Sequence, residues 1–118
     1  MIIGTGIDIV EVERIEKAIK RNGDDFLKRV FTSREVEYAK SKKLSFMHLA
    51  GRFAAKEAVL KAFSRGKFSF KDIEILNDDV GRPVCRLKNH GFRIAISISH
   101  TEKYALASAV VEKKAQLS

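Results

Sequence analysis

The apolar positions of this 118-residue chain change their period along its length, and each change marks a new element. Ile2 to Val10 is an isoleucine-rich run punctuated by glycine, with apolar side chains on both faces, a pattern that predicts a buried strand. Val12, Ile15 and Ile19 then recur at helical spacing among Glu11, Glu13, Arg14, Lys17, Lys20 and Arg21, and Asn22-Gly23 closes that helix. Asp24 to Phe31 reads as a short amphipathic piece. Thr32 followed by Glu35 has capping-box spacing for a helix through Lys40. Ser41 to Lys43 is a connector, and the longest helix runs from Phe46 to Ser64, terminated at Arg65-Gly66.

Beyond Gly66 the texture turns to short β-type runs, Asp72 to Leu76, Pro83 to Leu87, Arg93 to Ser99 and Tyr104 to Val111. Turn signals at Asn77-Asp78-Asp79 and Asn89-His90-Gly91 separate them, so this half reads as a meander. The pattern predicts an α+β domain: a mostly antiparallel sheet that takes in the N-terminal strand, packed against the long helix. With no repeat or low-complexity tract, residues 1–118 are expected to form one domain. A domain of this size builds a deep two-walled cleft poorly from one copy, and oligomerisation is one way to complete it.

Composition narrows the picture. Lys and Arg number 23 against 15 Asp and Glu, a formal charge of +8 that favours anionic partners without naming one. The N-terminus has no basic n-region, and no apolar run approaches the ~18 residues of a membrane span, so no membrane association and a cytoplasmic location are expected. The single cysteine, Cys85, reads as a strand residue and can form neither an intrachain disulfide nor a cysteine metal cluster.

Two carboxylates stand where apolar residues belong. On the long helix, at about 100° per residue, Glu57 falls only ~40° from Phe53, on the stripe of Phe46, Leu49, Phe53 and Leu60. A carboxylate there needs a cation, hydrogen bonds or a metal. Lys61, four residues on, is one such partner. Asp8 lies between Ile7 and Ile9 and shares its pleat face with Gly4 and Gly6, which leave room for another chain or a ligand beside it. Asp8 also has the alternative of ending the strand and capping the next helix. Two acidic groups at one cavity, with Lys61 near, would suit Mg2+ bridging to phosphate.

Gly6-Ile7-Asp8-Ile9-Val10 with Arg14-Ile15, Gly51-Arg52-Phe53-Ala54-Ala55-Lys56-Glu57-Ala58 with Lys61-Ala62, Gly81 with Pro83, and Ser97-Ile98-Ser99-His100 follow in order along the chain. In these motifs and their spacing the sequence resembles the holo-acyl-carrier-protein synthases. That resemblance implies a 4′-phosphopantetheinyl transferase-like fold and transfer of phosphopantetheine from coenzyme A to a serine of an acidic apo-acyl carrier protein. The by-product would be adenosine 3′,5′-bisphosphate, the context fatty acid biosynthesis, and the assembly a homotrimer with sites between protomers. It further implies Asp8 and Glu57 as ligands of Mg2+, and Glu57 and Lys61 as catalytic groups. Arg52, Lys61, Pro83 and His100 would line the coenzyme A site, and Arg14, Lys17 and Arg21 would meet the carrier protein. The serine proton is left to Glu57 or a metal-held water. Departures from the family pattern fall at Thr5, Ile7, Ser64-Arg65-Gly66 and Asn22-Gly23-Asp24-Asp25, and none is a metal ligand.

Two other classes compete. A small basic nucleic-acid-binding module fits +8, but the strands carry no aromatic set for stacking bases, and nucleic-acid binding leaves Asp8 and Glu57 unexplained. An adaptor that binds an acidic protein without chemistry would have no use for Asp8, Glu57 and Lys61 together.

Overall fold

In the computed structural model, which describes residues 1–42, 45–64, 68–88 and 91–114, the chain opens with β1 (Ile2–Glu11) and turns directly into α1 (Val12–Asn22). The N-cap of α1 is Glu11, without a side-chain cap, so Asp8 does not serve as one. Gly23, at φ 54°, makes the turn into α2 (Asp24–Val30), a backbone conformation that glycine adopts freely. The capping box of α3 (Ser33–Lys40) is present: Thr32 Oγ1 accepts from Glu35 N, and Thr32 N donates to Glu35 Oε1 at 2.8 Å. The long helix, α4 (Ser45–Ala62), is two residues shorter at its C-terminus than its periodicity predicts. Arg65-Gly66, Asn89-His90 and Lys43 lie outside the described residues.

A 3₁₀ turn at Phe70–Asp72 leads into β2 (Ile73–Asn77), followed by β3 (Pro83–Leu87), β4 (Phe92–His100) and β5 (Tyr104–Lys113). All described pairings are antiparallel, but the four later strands are not one meander. β1, β5 and β4 form a three-stranded sheet in that order, while β2 and β3 form a separate hairpin. Among the described residues no helix is long and apolar enough to cross a membrane.

The core sits where α4 lies across the three-stranded sheet. Along β1, residues 4, 6, 8 and 10 face the helix, and Asp8 shares a cross-strand row with Ala107 and Ile98. A Cβ on Gly6 would stand 1.9 Å from the Ala58 carbonyl oxygen, and one on Gly4 2.0 Å from that of Ala62. The glycines therefore admit the backbone of α4 itself, not an outside ligand. Ala54, Ala58 and Ala62 on the helix and Ala105, Ala107 and Ala109 on β5 are fully or almost fully buried, so small residues on both layers allow the close approach. The most open side of α4 holds Phe53 and Glu57. Glu57 thus does not interrupt the deepest face, because the alanines, weak in any hydrophobic pattern, bury deeper than the larger side chains.

Candidate active site

The Gly4 and Gly6 contacts decide what stands beside Asp8. With Ala58 over Gly6 and Ala62 over Gly4, the residues just before them on α4, Glu57 and Lys61, come to the edge of β1. Lys61 Nζ donates to the Ile7 carbonyl at 3.0 Å and to Asp8 Oδ1 at 3.1 Å. Instead of lying along its own helix, this lysine bridges to the strand. Asp8 and Glu57 line one cavity of about 310 Å³ together with Arg14 and the apolar residues Ile15, Phe26 and Phe53. Two carboxylates and two cations from β1, α1 and α4 are thereby gathered on one side of the long helix.

The other basic residues of α1 lie elsewhere. Lys17 pairs with Glu13 at 3.0 Å on the exposed face, a contact that water and salt largely screen. Arg21 is exposed in the last turn of the helix. Neither lines the cavity that Arg14 shares with the carboxylates.

Arg52, Pro83 and His100 also come together, on the other side of α4, around a cavity of about 230 Å³. Tyr38, His48 and Asn77 complete its polar wall. Sequence reasoning missed these three, although His48 precedes Arg52 by one helical turn and so shares its face. The Arg52 side chain is almost wholly buried. Its Nε donates to the Ile75 carbonyl at 3.1 Å, a terminal nitrogen donates to Asn77 Oδ1, and the guanidinium stacks 4.3 Å over Tyr38. Burial lowers its pKa, against the opposing pull of Tyr38 and Glu35. Much of its bonding capacity therefore holds the hairpin. The rings of His48 and His100 lie 5.8 Å apart at the rim.

A third cavity, about 430 Å³, runs along the seam between β3 and β4, and its charged lining combines Lys71, Arg86, Lys88 and Lys114 with Asp72 and Glu74. Charged side chains beside strand edges resist pairing with other chains, which accounts for that ring. Cys85 borders it, and burial pushes its thiol pKa up to about 12, so the thiol is a poor nucleophile near neutral pH.

A long helix across a three-stranded antiparallel sheet sets an acidic pair and a bridging lysine at one sheet edge, a grouping of charge that suits a divalent cation and a phosphate. Residues 4–109 match the model of the 4′-phosphopantetheinyl transferase superfamily, and the chain belongs to that family. It is 51% identical, over an aligned length of 124 residues, to the holo-[acyl-carrier-protein] synthase of Caldicellulosiruptor saccharolyticus, covering 97% of this chain and 99% of that protein. The holo-(acyl-carrier-protein) synthase of Bacillus anthracis, solved in complex with CoA (3′,5′-ADP), matches it with a TM-score of 0.86 and 42% identity over 97% of this chain and 99% of that one. The synthase of Neisseria meningitidis also matches with a TM-score of 0.86, at 35% identity over 96% of this chain and 100% of its own.

Proposed function

We propose that this chain is a holo-[acyl-carrier-protein] synthase that moves 4′-phosphopantetheine from coenzyme A to a serine of an acidic apo-acyl carrier protein. The observation that carries the reading is the convergence of Asp8, Glu57 and Arg14 on one cavity, with Lys61 bonded to Asp8 at its edge. In the reaction the serine oxygen bonds to the β-phosphorus of coenzyme A. The bond from that phosphorus to the bridging oxygen breaks, and adenosine 3′,5′-bisphosphate leaves with the electron pair.

The donor set fits Mg2+. It offers two hard carboxylates in one cavity, and among the described residues no group of three His, Cys, Asp or Glu side chains forms an all-protein cage. Asp8 and Glu57 would hold the ion, with substrate phosphates and water as its other ligands. When bound, Mg2+ would offset negative charge on the transferred phosphoryl group. Lys61 adds a cation beside the same phosphates, and the serine proton passes to Glu57 or to a water held in the same cavity. Arg14, at the cavity rim, is read as the contact to the acidic carrier, with Lys17 and Arg21 extending the basic face of α1.

Arg52, Pro83 and His100 are read as the walls of the nucleotide site. Their cavity shares no lining residue with the acidic one. The outward sheet face supports a way to join them: Ile7 and Ile9 are each 61% exposed, and Leu106, opposite Ile9, is 39% exposed. Burying such a row is favourable at roughly 25 cal/mol per Å². The reading is a homotrimer, each chain a single domain, in which the nucleotide half-site of one copy faces the acidic half-site of the next. The proposed compartment is the cytoplasm, and the proposed role a step in fatty acid biosynthesis.

Incubating the protein with coenzyme A, Mg2+ and an apo-acyl carrier protein tests the activity, with the carrier gaining the mass of one phosphopantetheine. An unmodified carrier would overturn the reading. Sedimentation at micromolar concentration tests the trimer, which a fully active monomer would exclude.

A further inference from the structure

The hairpin that carries Asn77 and Pro83 shares no strand ladder with the main sheet among the described residues, so side chains must fix its place against α4. They do so around one ion pair with no access to water. Glu35 of α3 and Lys56 of α4 are both fully buried, with Nζ and Oε1 2.6 Å apart. Lys56 Nζ also donates to the carbonyls of Val30, at 2.7 Å, and Phe70, at 3.1 Å. Glu35 Oε1 accepts from Thr32 N at 2.8 Å, and its Oε2 accepts from Ile75 N at 2.7 Å. Since the Ile75 carbonyl accepts from Arg52, strand β2 is gripped at one residue through both its N–H and its carbonyl.

A buried ion pair is a costly way to gain stability, because apolar side chains of similar volume often serve as well. Position is what this pair supplies: its carboxylate reaches a backbone N–H that an apolar side chain could not hold. We infer that Glu35 and Lys56 are positioning residues for the nucleotide cavity, holding the β2–β3 hairpin so that Pro83 stands at a set distance from Arg52 and His100. The inference rests on the reading of that cavity as the nucleotide site. It concerns substrate affinity, since Asp8 and Glu57 lie on the other side of α4.

Two variants test it. Glu35→Gln faces donors on every side, so its amide nitrogen must give up a bond, and the neutral Ile75 N–H is the weakest partner to lose. Glu35→Met/Lys56→Met removes the pair without leaving a buried charge. In both variants the Kd for 3′,5′-ADP by calorimetry and the KM for coenzyme A should rise about tenfold, as for loss of a hydrogen bond to a charged group. The kcat at saturating coenzyme A should stay within about twofold, because the acidic cavity is untouched. Hydrogen exchange of the β2 amides without ligand should quicken about tenfold in both. That readout needs no activity, so it decides the clamp even if the wild-type protein proves not to bind coenzyme A, a result that would count against the function instead. Unchanged β2 exchange overturns the clamp. Unchanged nucleotide affinity in both variants, or a loss confined to kcat, overturns the positioning role.

Discussion

Lys61 of α4 reaches across to β1 and places its Nζ 3.1 Å from Asp8 Oδ1, tying a helix cation to a strand carboxylate. The pair is partly solvated, with the lysine side chain 40% exposed, so its contribution to stability is below about 1 kcal/mol. Its proposed value lies in charge stabilisation during transfer. Lys61→Met should lower kcat by about 10²- to 10³-fold while changing the melting temperature little. Parallel kinetics and calorimetry check this, and a melting change with normal kcat would assign Lys61 a structural role only.

Asp8→Asn and Glu57→Gln keep shape and remove anionic oxygen. Each should abolish most transfer, and residual activity should require more Mg2+ than the wild-type protein does. Titrating Mg2+ against initial rate is the measurement. Normal turnover of either variant at limiting Mg2+ would show that the metal is held elsewhere.

Gly6→Ala probes the contact that assembles the site. The added Cβ would meet the Ala58 carbonyl oxygen at 1.9 Å, a backbone atom that moves only with the helix. Overpacking of this kind costs about 1–3 kcal/mol or more and should separate Asp8 from Glu57. The expected outcome is a lower melting temperature together with weakened transfer. A stable, fully active Gly6→Ala protein would mean that α4 shifts without cost.

Arg14→Glu should depress kcat/KM for the carrier far more than coenzyme A binding. Wild-type transfer should also slow with added salt, since attraction between exposed charges is screened beyond a Debye length of about 8 Å at physiological ionic strength. A reciprocal charge reversal on the carrier should restore part of the rate. Loss of coenzyme A affinity with unchanged carrier use would assign α1 to the other substrate.

Asp78 gives the hairpin turn a pH dependence. Its Oδ1 accepts from Val80 N at 3.0 Å and Arg82 N at 2.9 Å, and these backbone bonds, that of Arg82 foremost, hold its carboxyl below the ordinary 3.8. A folded pKa below the unfolded one means that the turn is supported above about pH 4 and loses that support as pH falls through the lower folded value. Protection of the Val80 and Arg82 amides, taken relative to their intrinsic exchange at each pH, should therefore fall in acid, and Asp78→Ala should remove the dependence.

What the sequence determined by itself was local. The capping box of Thr32 and Glu35 spans one turn, so its residue types suffice to predict it, and periods of two and 3.6 residues place the strands and helices to within a residue or two of their limits. Motif order was enough to point to the family. The tertiary structure alone decided what these elements do to one another. The Gly4 and Gly6 face reads in sequence as room for another chain or a ligand, and it is the bed of α4, because a missing Cβ does not say which backbone fills the space. Glu35 reads as a capping residue, and the donor to its second oxygen and its buried lysine lie on elements 40 and 21 positions away, at Ile75 and Lys56, beyond the reach of any periodicity. Asp8 and Glu57 look like separate anomalies until small residues on the helix and the sheet let the two layers close and bring both to one cavity.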